Sequence, residues 1–263
     1  MATPREINRH MKSVGNIGKI TKAMKMVAAA RLRRAQEKAA ASRPYAIKIK
    51  EVLSNVVSDP SVLAGLDAKK HPLLQKREVQ KVGYLVLCSD KGLAGAYSSN
   101  ALKMAVAEIS ECEDEVVVIT CGRKARDFFT RRGFNVIQSH IGFSDRPTYE
   151  NAVDIAQDAI KTFASEGFDK LNIVYTVFKT ALSQIPTSEV ILPVEPPVKE
   201  EGKAQASFMF EPGEDDTLTV LAPKYLETVV YAALVQSAAS ELGSRMTAMS
   251  SATDNAAKLV SSL

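Results

Sequence analysis

Apolar residues at both ends of the chain repeat at alternating spacings of three and four, which is the pattern of coiled-coil helices. The predicted seam of the first helix is Ile7, His10, Val14, Ile17, Thr21, Met24, Ala28, Arg31 and Ala35. The predicted seam of the last helix is Tyr225, Thr228, Ala232, Val235, Ala239, Leu242, Met246, Met249, Thr253, Ala256, Val260 and Leu263. Two such helices on either side of a different middle predict an intramolecular antiparallel coiled coil.

The first helix has a clear predicted start and an unusual length. Thr3, Pro4 and Glu6 form a capping box with proline at the first helical position. Nothing interrupts the pattern before Pro44, which predicts a helix of about 40 residues, or roughly 60 Å. Because both seams contain many Ala, Ser and Thr residues and few Leu, we expect a surrounding protein to support them. Two ordinary core helices of a bundle remain the alternative.

The middle of the chain alternates between strand and helix patterns. Residues 82–88, 116–121 and 171–178 are apolar runs typical of buried strands, and residues 98–110, 123–132 and 149–165 have helical patterns. This alternation predicts an α/β domain with a mostly parallel sheet. Further strands are expected at 134–138, 188–192 and 207–211, with a polar connector at 59–80 and a Pro-rich loop at 193–206. The predicted domains are a first coiled-coil helix at 1–57, the α/β domain at 58–213 and a second coiled-coil helix at 214–263.

The net charge of +4 conceals a strongly basic first segment. Residues 1–50 contain thirteen Lys or Arg residues and two Glu residues, a net charge of +11, which leaves −7 for the remainder. An acidic protein surface is the favoured partner. Nucleic acid is the alternative, although no aromatic residue for base stacking lies among the charges before Tyr45. A membrane-surface helix would present bulkier apolar residues opposite its charges.

No residue pattern in the chain indicates catalysis. A Gly-rich loop at 89–97 follows the first strand, where a nucleotide phosphate could bind, but a tight strand-to-helix turn is the favoured interpretation. Cys88, Cys112 and Cys121 lack metal-ligand spacing and are interpreted as reduced thiols. No apolar run approaches the roughly 20 residues that span a bilayer. We therefore expect no catalytic residue, no metal site and no cofactor.

Three long motifs resemble the signature blocks of the gamma subunit of rotary ATP synthases. They are NIGKITKAMKMVAAARLRRAQ at 16–36, SDKGLAG at 89–95 and SELGSRMTAMSSATDNA at 240–256, and SRPYA at 42–46 is also similar. They occur in the family's order and cover essentially the whole chain. The resemblance implies a coiled-coil shaft that carries a Rossmann-like domain at its base. It also implies a non-catalytic rotor inside a ring of three alpha and three beta subunits.

The resemblance also implies where the partners bind. Contact with the alpha and beta subunits is expected at Lys22, Met24, Lys25, Arg31, Arg33, Arg34, Arg245 and Met249. A foot at Arg43, Pro44 and Tyr45 is expected to face the epsilon subunit and the membrane c-ring. The implied location is the cytoplasmic face of the bacterial cell membrane, as a peripheral protein with no direct membrane insertion. Nucleic-acid binding through the basic helix remains the alternative function.

Some features depart from the family pattern. Lys91, Ala94 and Ala96 replace the usual Arg, Cys and Gly of the loop block. Family members continue past residue 263 with a further helix of about two dozen residues, roughly 36 Å, so that tip is expected to be missing here. The family pattern aligns Met24 with Arg245, which predicts that the numbers of two residues paired across the coiled coil sum to about 269. If both helices instead leave the domain at the same level, the domain boundaries predict a sum of about 271. Ala28 is then expected beside residues 241–243.

Overall fold

The computed structural model describes residues 3–57, 70–194 and 214–262. Its elements, in chain order, are α1 (Pro4–Val57), a short 3-10 helix (Pro72–Leu74), β1 (Lys81–Leu87), α2 (Tyr97–Glu111), β2 (Glu115–Cys121), α3 (Arg123–Arg131), β3 (Val136–His140), α4 (Tyr149–Ala164), β4 (Lys170–Phe178), β5 (Gln184–Leu192) and α5 (Glu214–Ser262). Residues 58–69 and 195–213 lie outside this description, and with them the strand expected at 207–211 and most of the connector and the Pro-rich loop.

The five described strands form one sheet in the order β3-β2-β1-β4-β5. The four strands from β3 to β4 are parallel, and β5 runs antiparallel along the edge of β4. The predicted α/β domain with a mostly parallel sheet is therefore confirmed. The central strands are buried on both faces because helices cover each side of the sheet, which is why they read as continuous apolar runs.

Helices α1 and α5 pack against each other as the predicted antiparallel pair, with a different register. A Cβ built at Gly18 would lie 3.4 Å from the Cβ of Ala256, and the hydroxyl oxygens of Thr21 and Thr253 are 2.7 Å apart. Both pairs of residue numbers sum to 274. The predicted sums of 269 to 271 were wrong by about one helical turn, or 5 Å. Family motifs alone do not fix the height at which the two helices cross.

The predicted seam of α1 is correct at every second position and is shifted by one residue at three of the positions between them. Val14, Thr21, Ala28 and Ala35 are buried as expected. Between them, Met11, Gly18 and Leu32 are more buried than the predicted His10, Ile17 and Arg31, whereas Met24 is half-buried as predicted and its neighbour Lys25 is exposed. The close approach at Gly18 needs a small residue, so the larger Ile17 points outward and is 50% exposed. On α5, the predicted seam residues from Thr228 to Val260 are all at least half-buried, while Leu263 lies outside the described residues.

Helix α1 starts as predicted and runs well past Pro44. The backbone N–H and hydroxyl of Thr3 donate to the Glu6 carboxylate, and the backbone N–H of Glu6 donates back to the Thr3 hydroxyl. Pro44 lacks the N–H that would bond to the carbonyl four residues earlier, and its ring crowds that carbonyl. Because this stretch of the helix is exposed, water can satisfy that carbonyl, and the helix continues to Val57.

The bases of both long helices belong to the core of the α/β domain. Leu53 of α1 and Leu218, Leu226 and Val230 of α5 share one apolar cluster with strand residues such as Ile173. The rest of the helix pair is here called the shaft: residues 4–38 of α1 and 236–262 of α5. The first part of the α5 shaft still packs on the sheet, since Ser237 and Ser240 bond to the backbone of Thr176. Helix α5 is long and apolar enough to cross a membrane by length and composition alone, which corrects the expectation that no such run exists. Half of its most apolar window is buried inside the protein, as in a core helix of a folded domain.

A candidate partner-binding surface on the shaft

The α1 side of the shaft presents a basic surface. Lys22, Arg33 and Arg34 are exposed, and Met24 is half-buried. Arg33 bonds to Glu37 one turn later at 3.0 Å, a pair in which both side chains stay largely in solvent. Lys25 donates across the seam to the Ser250 hydroxyl at 2.9 Å, so it also joins the two helices. Four of the eight predicted contact residues are thus exposed on α1: Lys22, Lys25, Arg33 and Arg34.

Large apolar side chains are interleaved with these charges. Ile17, Ile20, Met26 and Val27 are between 50% and 60% exposed. An exposed surface that combines apolar side chains with arginine is typical of a partner interface. The sequence pattern assigned Ile17 to the helix–helix seam and left the other three residues unassigned. In the sequence, these four apolar residues stand near Lys19, Lys22 and Lys25, and that mixture of apolar and basic residues could have indicated a partner surface.

Arg31 is oriented towards the α/β domain. Its guanidinium pairs with Asp145, which lies in the segment before α4, and Lys91 reaches the same carboxylate oxygen at 3.4 Å. Asp145 is 11% exposed in this arrangement. The structure therefore places Arg31 at the junction between shaft and domain, while Arg33 and Arg34 remain on the surface.

Arg245 and Met249 lie inside the shaft. Arg245 is 7% exposed, bonds to Glu241 at 2.7 Å and donates to the carbonyl of Gly92 at 3.3 Å. Burial raises the pKa of Glu241, although the Arg245 guanidinium and the Ser144 hydroxyl partly lower it. Met249 is 4% exposed. Neither side chain is on the surface of the chain as described.

The Gly-rich loop at 89–97 connects the sheet to α5. The Ser244 hydroxyl donates to the Ala94 carbonyl at 2.7 Å, and a Cβ at Gly95 would lie only 2.9 Å from the Ser244 hydroxyl oxygen. Gly95 also has a φ of +54°, which favours glycine. The loop is thus a tight turn that packs directly on α5, in agreement with the favoured interpretation of its sequence.

Asp90 organises the carboxyl edge of the sheet, where α/β domains commonly bind nucleotides. Its carboxylate accepts from the backbone N–H groups of Arg123, Gly142 and Ser144 at 2.9 to 3.1 Å. Burial alone would raise its pKa, but these hydrogen bonds outweigh burial and hold the pKa of Asp90 below its ordinary value of 3.8. Asp90 therefore already occupies N–H groups, including one at the start of α3, that a phosphate would otherwise use.

The predicted foot is an exposed turn of α1. Arg43 and Pro44 are exposed, and Tyr45 and Ile47 are 53% and 55% exposed. This turn lies beside the α/β domain, far along α1 from the basic surface around Lys22. The structure thus separates the two predicted groups of contact residues along the axis of the shaft.

The cysteines are not arranged for metal binding. Cys88 and Cys121 are buried free thiols, and burial raises the pKa of each. Within residues 3–57, 70–194 and 214–262, no group of three or more His, Cys, Asp and Glu side chains could hold a metal ion.

The structure defines an interaction subunit of a larger assembly: it has a two-helix shaft, a mostly parallel α/β domain at its base, and an outer surface that is apolar and basic.

Comparisons with known proteins identify the assembly. The family model described as ATP synthase matches residues 3–263. The ATP synthase gamma chain of Brevibacillus brevis is 45% identical over 262 residues, covering 98% of this chain and 89% of that relative. The gamma chain of Desulfitobacterium hafniense is 42% identical over 263 residues, covering 100% of this chain and 90% of that relative.

Solved structures show the same fold. A chain of the Tetrahymena thermophila mitochondrial ATP synthase central stalk and c-ring has a TM-score of 0.66 and 24% identity, covering 89% of this chain and 99% of that chain. A chain of the Euglena gracilis mitochondrial ATP synthase rotor has a TM-score of 0.64 and 16% identity, covering 98% and 93%.

The chain therefore belongs to the ATP synthase gamma family. It is a non-catalytic subunit of the central-stalk rotor and part of the membrane-associated ATP synthase complex. The comparisons give no support to the alternative of a nucleic-acid-binding protein.

Proposed function

We propose that this chain couples rotation, driven by ion flow through a membrane c-ring, to ATP synthesis and hydrolysis in a head of three alpha and three beta subunits. The observation that carries this proposal is the chemical difference between the two sides of the shaft. The α1 side is basic and apolar, whereas residues 247–262 of α5 contain only Asp254 and Lys258 as charged residues. An asymmetric shaft contacts three identical catalytic subunits differently, and these contact free energies bias each subunit towards a different conformation.

The solved structures support the general kind of partner. One that shares this fold is titled a central stalk with c-ring, and another, also from Euglena gracilis, is titled OSCP, F1 and c-ring. We assign the alpha and beta subunits to the shaft, and the epsilon subunit and c-ring to the foot at Arg43, Pro44 and Tyr45. No cofactor, nucleic acid or direct membrane insertion is part of this proposal, which places the chain at the cytoplasmic face of the bacterial membrane.

The proposed contact with the alpha and beta subunits has an outer and an inner part. Lys22, Lys25, Arg33 and Arg34 are exposed and Met24 is half-buried, and we assign these five residues to direct contact with an acidic segment of the beta subunit. Arg31, Arg245 and Met249 are turned towards the domain or buried, so we assign them the indirect role of holding this surface in place. The proposed domain division is 1–57, 58–213 and 214–263, with the shaft joined to the domain through the shared core.

Charge reversal on the outer surface tests this function. The variant Lys22→Glu with Arg33→Glu is expected to fold normally, because exposed ion pairs contribute under about 1 kcal/mol. Assembled with alpha and beta subunits, it should show reduced torque and reduced ATP-driven rotation, because the shaft would repel an acidic segment. Lys25 is left unchanged because it also bonds to Ser250.

The matched control is Lys103→Glu with Lys161→Glu, which changes the net charge equally at exposed positions on α2 and α4. It should leave torque unchanged. Full torque in the shaft variant would refute electrostatic contact at this surface. Failure of the unmodified chain to assemble with alpha and beta subunits would refute the rotor function itself.

A further inference from the structure

A cavity of about 270 Å³ lies where α1, α5 and the segment before α4 meet. Its floor contains the small or aliphatic residues Ala35, Val235 and Ala238, and its rim contains Arg34, Lys38 and Arg146. It is separate from the carboxyl edge of the sheet, where Asp90 occupies the backbone N–H groups. The coupling function assigns Arg34 to subunit contact and Arg31 to holding that surface in place, but it gives the cavity itself no role.

The rim of the cavity carries excess positive charge. Asp145 is the acidic residue of the lining, and its carboxylate is already paired with Arg31 and approached by Lys91. Among the described residues, Lys38 donates a hydrogen bond only to the Pro147 carbonyl, at 3.4 Å. Within the part of the chain that the structure describes, the guanidinium groups of Arg34 and Arg146 form no hydrogen bond or ion pair. Three cationic side chains thus surround one opening without a paired carboxylate.

This combination of rim and floor selects a class of ligand. Unpaired guanidinium groups present planar sets of donors that match the oxygens of a carboxylate or phosphate. An apolar floor favours a ligand that also has a compact hydrocarbon part. For scale, an engineered cavity of roughly 150 Å³ accommodates benzene. The cavity here therefore has room for one ring and an anionic group.

We propose that this cavity is a binding site for a small organic anion, a carboxylate or phosphate monoester attached to a compact apolar group. Arg34 and Arg146 bind the anionic group from opposite elements, and Ala35, Val235 and Ala238 contact the apolar group. A bound anion would bridge α1 to the segment before α4, and so stabilise the junction between the shaft and the domain. This site needs no other subunit, so it extends beyond the coupling function.

Calorimetric titration of the full chain tests the proposal, at one fixed low salt concentration because charged contacts are screened by salt. The probes are phenyl phosphate and benzoate, with inorganic phosphate and phenol as probes that each lack one of the two features. We expect phenyl phosphate or benzoate to bind at least tenfold more tightly than either incomplete probe. Whichever of the two binds more tightly identifies the preferred anionic group.

Variants at the rim assign the binding to this cavity. Arg34→Gln and Arg146→Gln should each weaken binding about tenfold, because each removes charge-assisted hydrogen bonds. Both side chains are exposed and unpaired in the described chain, so the fold should persist, which circular dichroism checks. The matched control is Arg33→Gln, which removes the same charge from the adjacent position and should change binding less than twofold.

Equal weakening by Arg33→Gln, or equal affinity for inorganic phosphate and phenyl phosphate, would show diffuse electrostatic attraction and overturn the site. Absence of phenyl phosphate and benzoate binding at millimolar concentration would also overturn it. Assembly with alpha and beta subunits is measured separately with the unmodified chain. A chain that assembles but does not bind these anions would refute only the anion site, whereas a chain that binds them but does not assemble would refute only the coupling function.

Discussion

At the scale of single residues, two Arg–Glu pairs on the shaft have the same four-residue spacing and different surroundings. Arg245 and Glu241 have side chains that are 9% and 1% exposed, whereas those of Arg33 and Glu37 are 83% and 61% exposed. Removing one partner of a buried pair leaves an uncompensated charge in a site with little water. Replacing one partner of an exposed pair returns the other to solvent. These two pairs therefore allow a controlled comparison within one protein.

We predict that Arg245→Ala lowers the free energy of unfolding by about 3 kcal/mol at neutral pH. The control Arg33→Ala should lower it by less than about 1 kcal/mol. Urea denaturation of both variants measures the difference. Without Arg245, the raised pKa of Glu241 means that the folded state binds a proton more tightly, so the loss should shrink as the pH falls. Equal losses in the two variants would show that burial does not control these pairs.

Asp90 supports a second prediction, in which stability depends on pH. Its folded-state pKa is below the ordinary 3.8, so its contribution is fully present above pH 3.8 and is lost as the pH falls through the lower folded value. Asp90→Asn should lower the free energy of unfolding by about 2 kcal/mol at pH 7, because it weakens three hydrogen bonds to a charged acceptor. The difference from the unmodified chain should narrow below pH 3.8.

Denaturation curves at pH 7 and at pH 3 measure this change, with the exposed Asp114→Asn as the control that should have little effect at either pH. If Asp90→Asn lowers the free energy of unfolding by the same amount at both pH values, the loss does not come from the charge of the Asp90 carboxylate. Such a result would remove the structural role assigned to Asp90.

The sequence predicted single residues well where the interaction is local. The capping box of Thr3 and Glu6 formed as expected because its members are three residues apart. The contacts of Arg31 with Asp145 and of Arg245 with Gly92 join residues more than 100 positions apart. No periodicity in the chain encodes such pairs: Arg31 was predicted in the helix–helix seam, both arginines were expected to contact the alpha and beta subunits, and Arg146 was not identified at all.

At the scale of elements, the central strands and all the long helices were predictable, and their boundaries were less so. Apolar runs defined β1, β2 and β4 because these strands are buried on both faces. β5 begins at Gln184, four residues before its predicted start, because its first seven residues are exposed or half-buried and form no apolar run. β3 occupies Val136–His140, two residues later than expected, beside an irregularity in its pairing with β2.

The register of α1 against α5 gives a third prediction. Cysteines at positions 18 and 256 should form a disulfide, since the two Cβ atoms would be 3.4 Å apart, close to disulfide geometry. A pair at 18 and 252 should not, because it is about 6 Å out of register along the helix. Mild oxidation followed by non-reducing gel electrophoresis distinguishes the two pairs.

This comparison is made in a Cys112→Ser background, because Cys112 is the native thiol that is not buried. Efficient crosslinking at 18 and 252, with none at 18 and 256, would restore the register near 270 and contradict the pairing of Thr21 with Thr253. The result therefore decides between two alignments of the same two helices.

At the scale of the whole molecule, α5 passes through two different environments. Between residues 226 and 245 it is buried almost all round, against the sheet, α4 and α1. Between residues 247 and 262, only Met249 and Ala256 are buried. Along residues 4–27 of α1, only Val14 and Thr21 are buried to this extent. Each heptad of the outer shaft thus buries about one residue per helix, which contributes little stability on its own.

The last prediction follows from this uneven burial. Amide hydrogens in residues 4–27 and 247–262 should exchange roughly tenfold or more faster than those in residues 218–242, because the outer shaft opens without disturbing the domain core. Exchange measured by mass spectrometry on the isolated chain tests this difference. In the assembly with alpha and beta subunits, exchange in the outer shaft should slow markedly, while residues 218–242 change little. Uniformly slow exchange along both helices of the isolated chain would show that the shaft is stable alone, and would remove the structural reason for a surrounding protein.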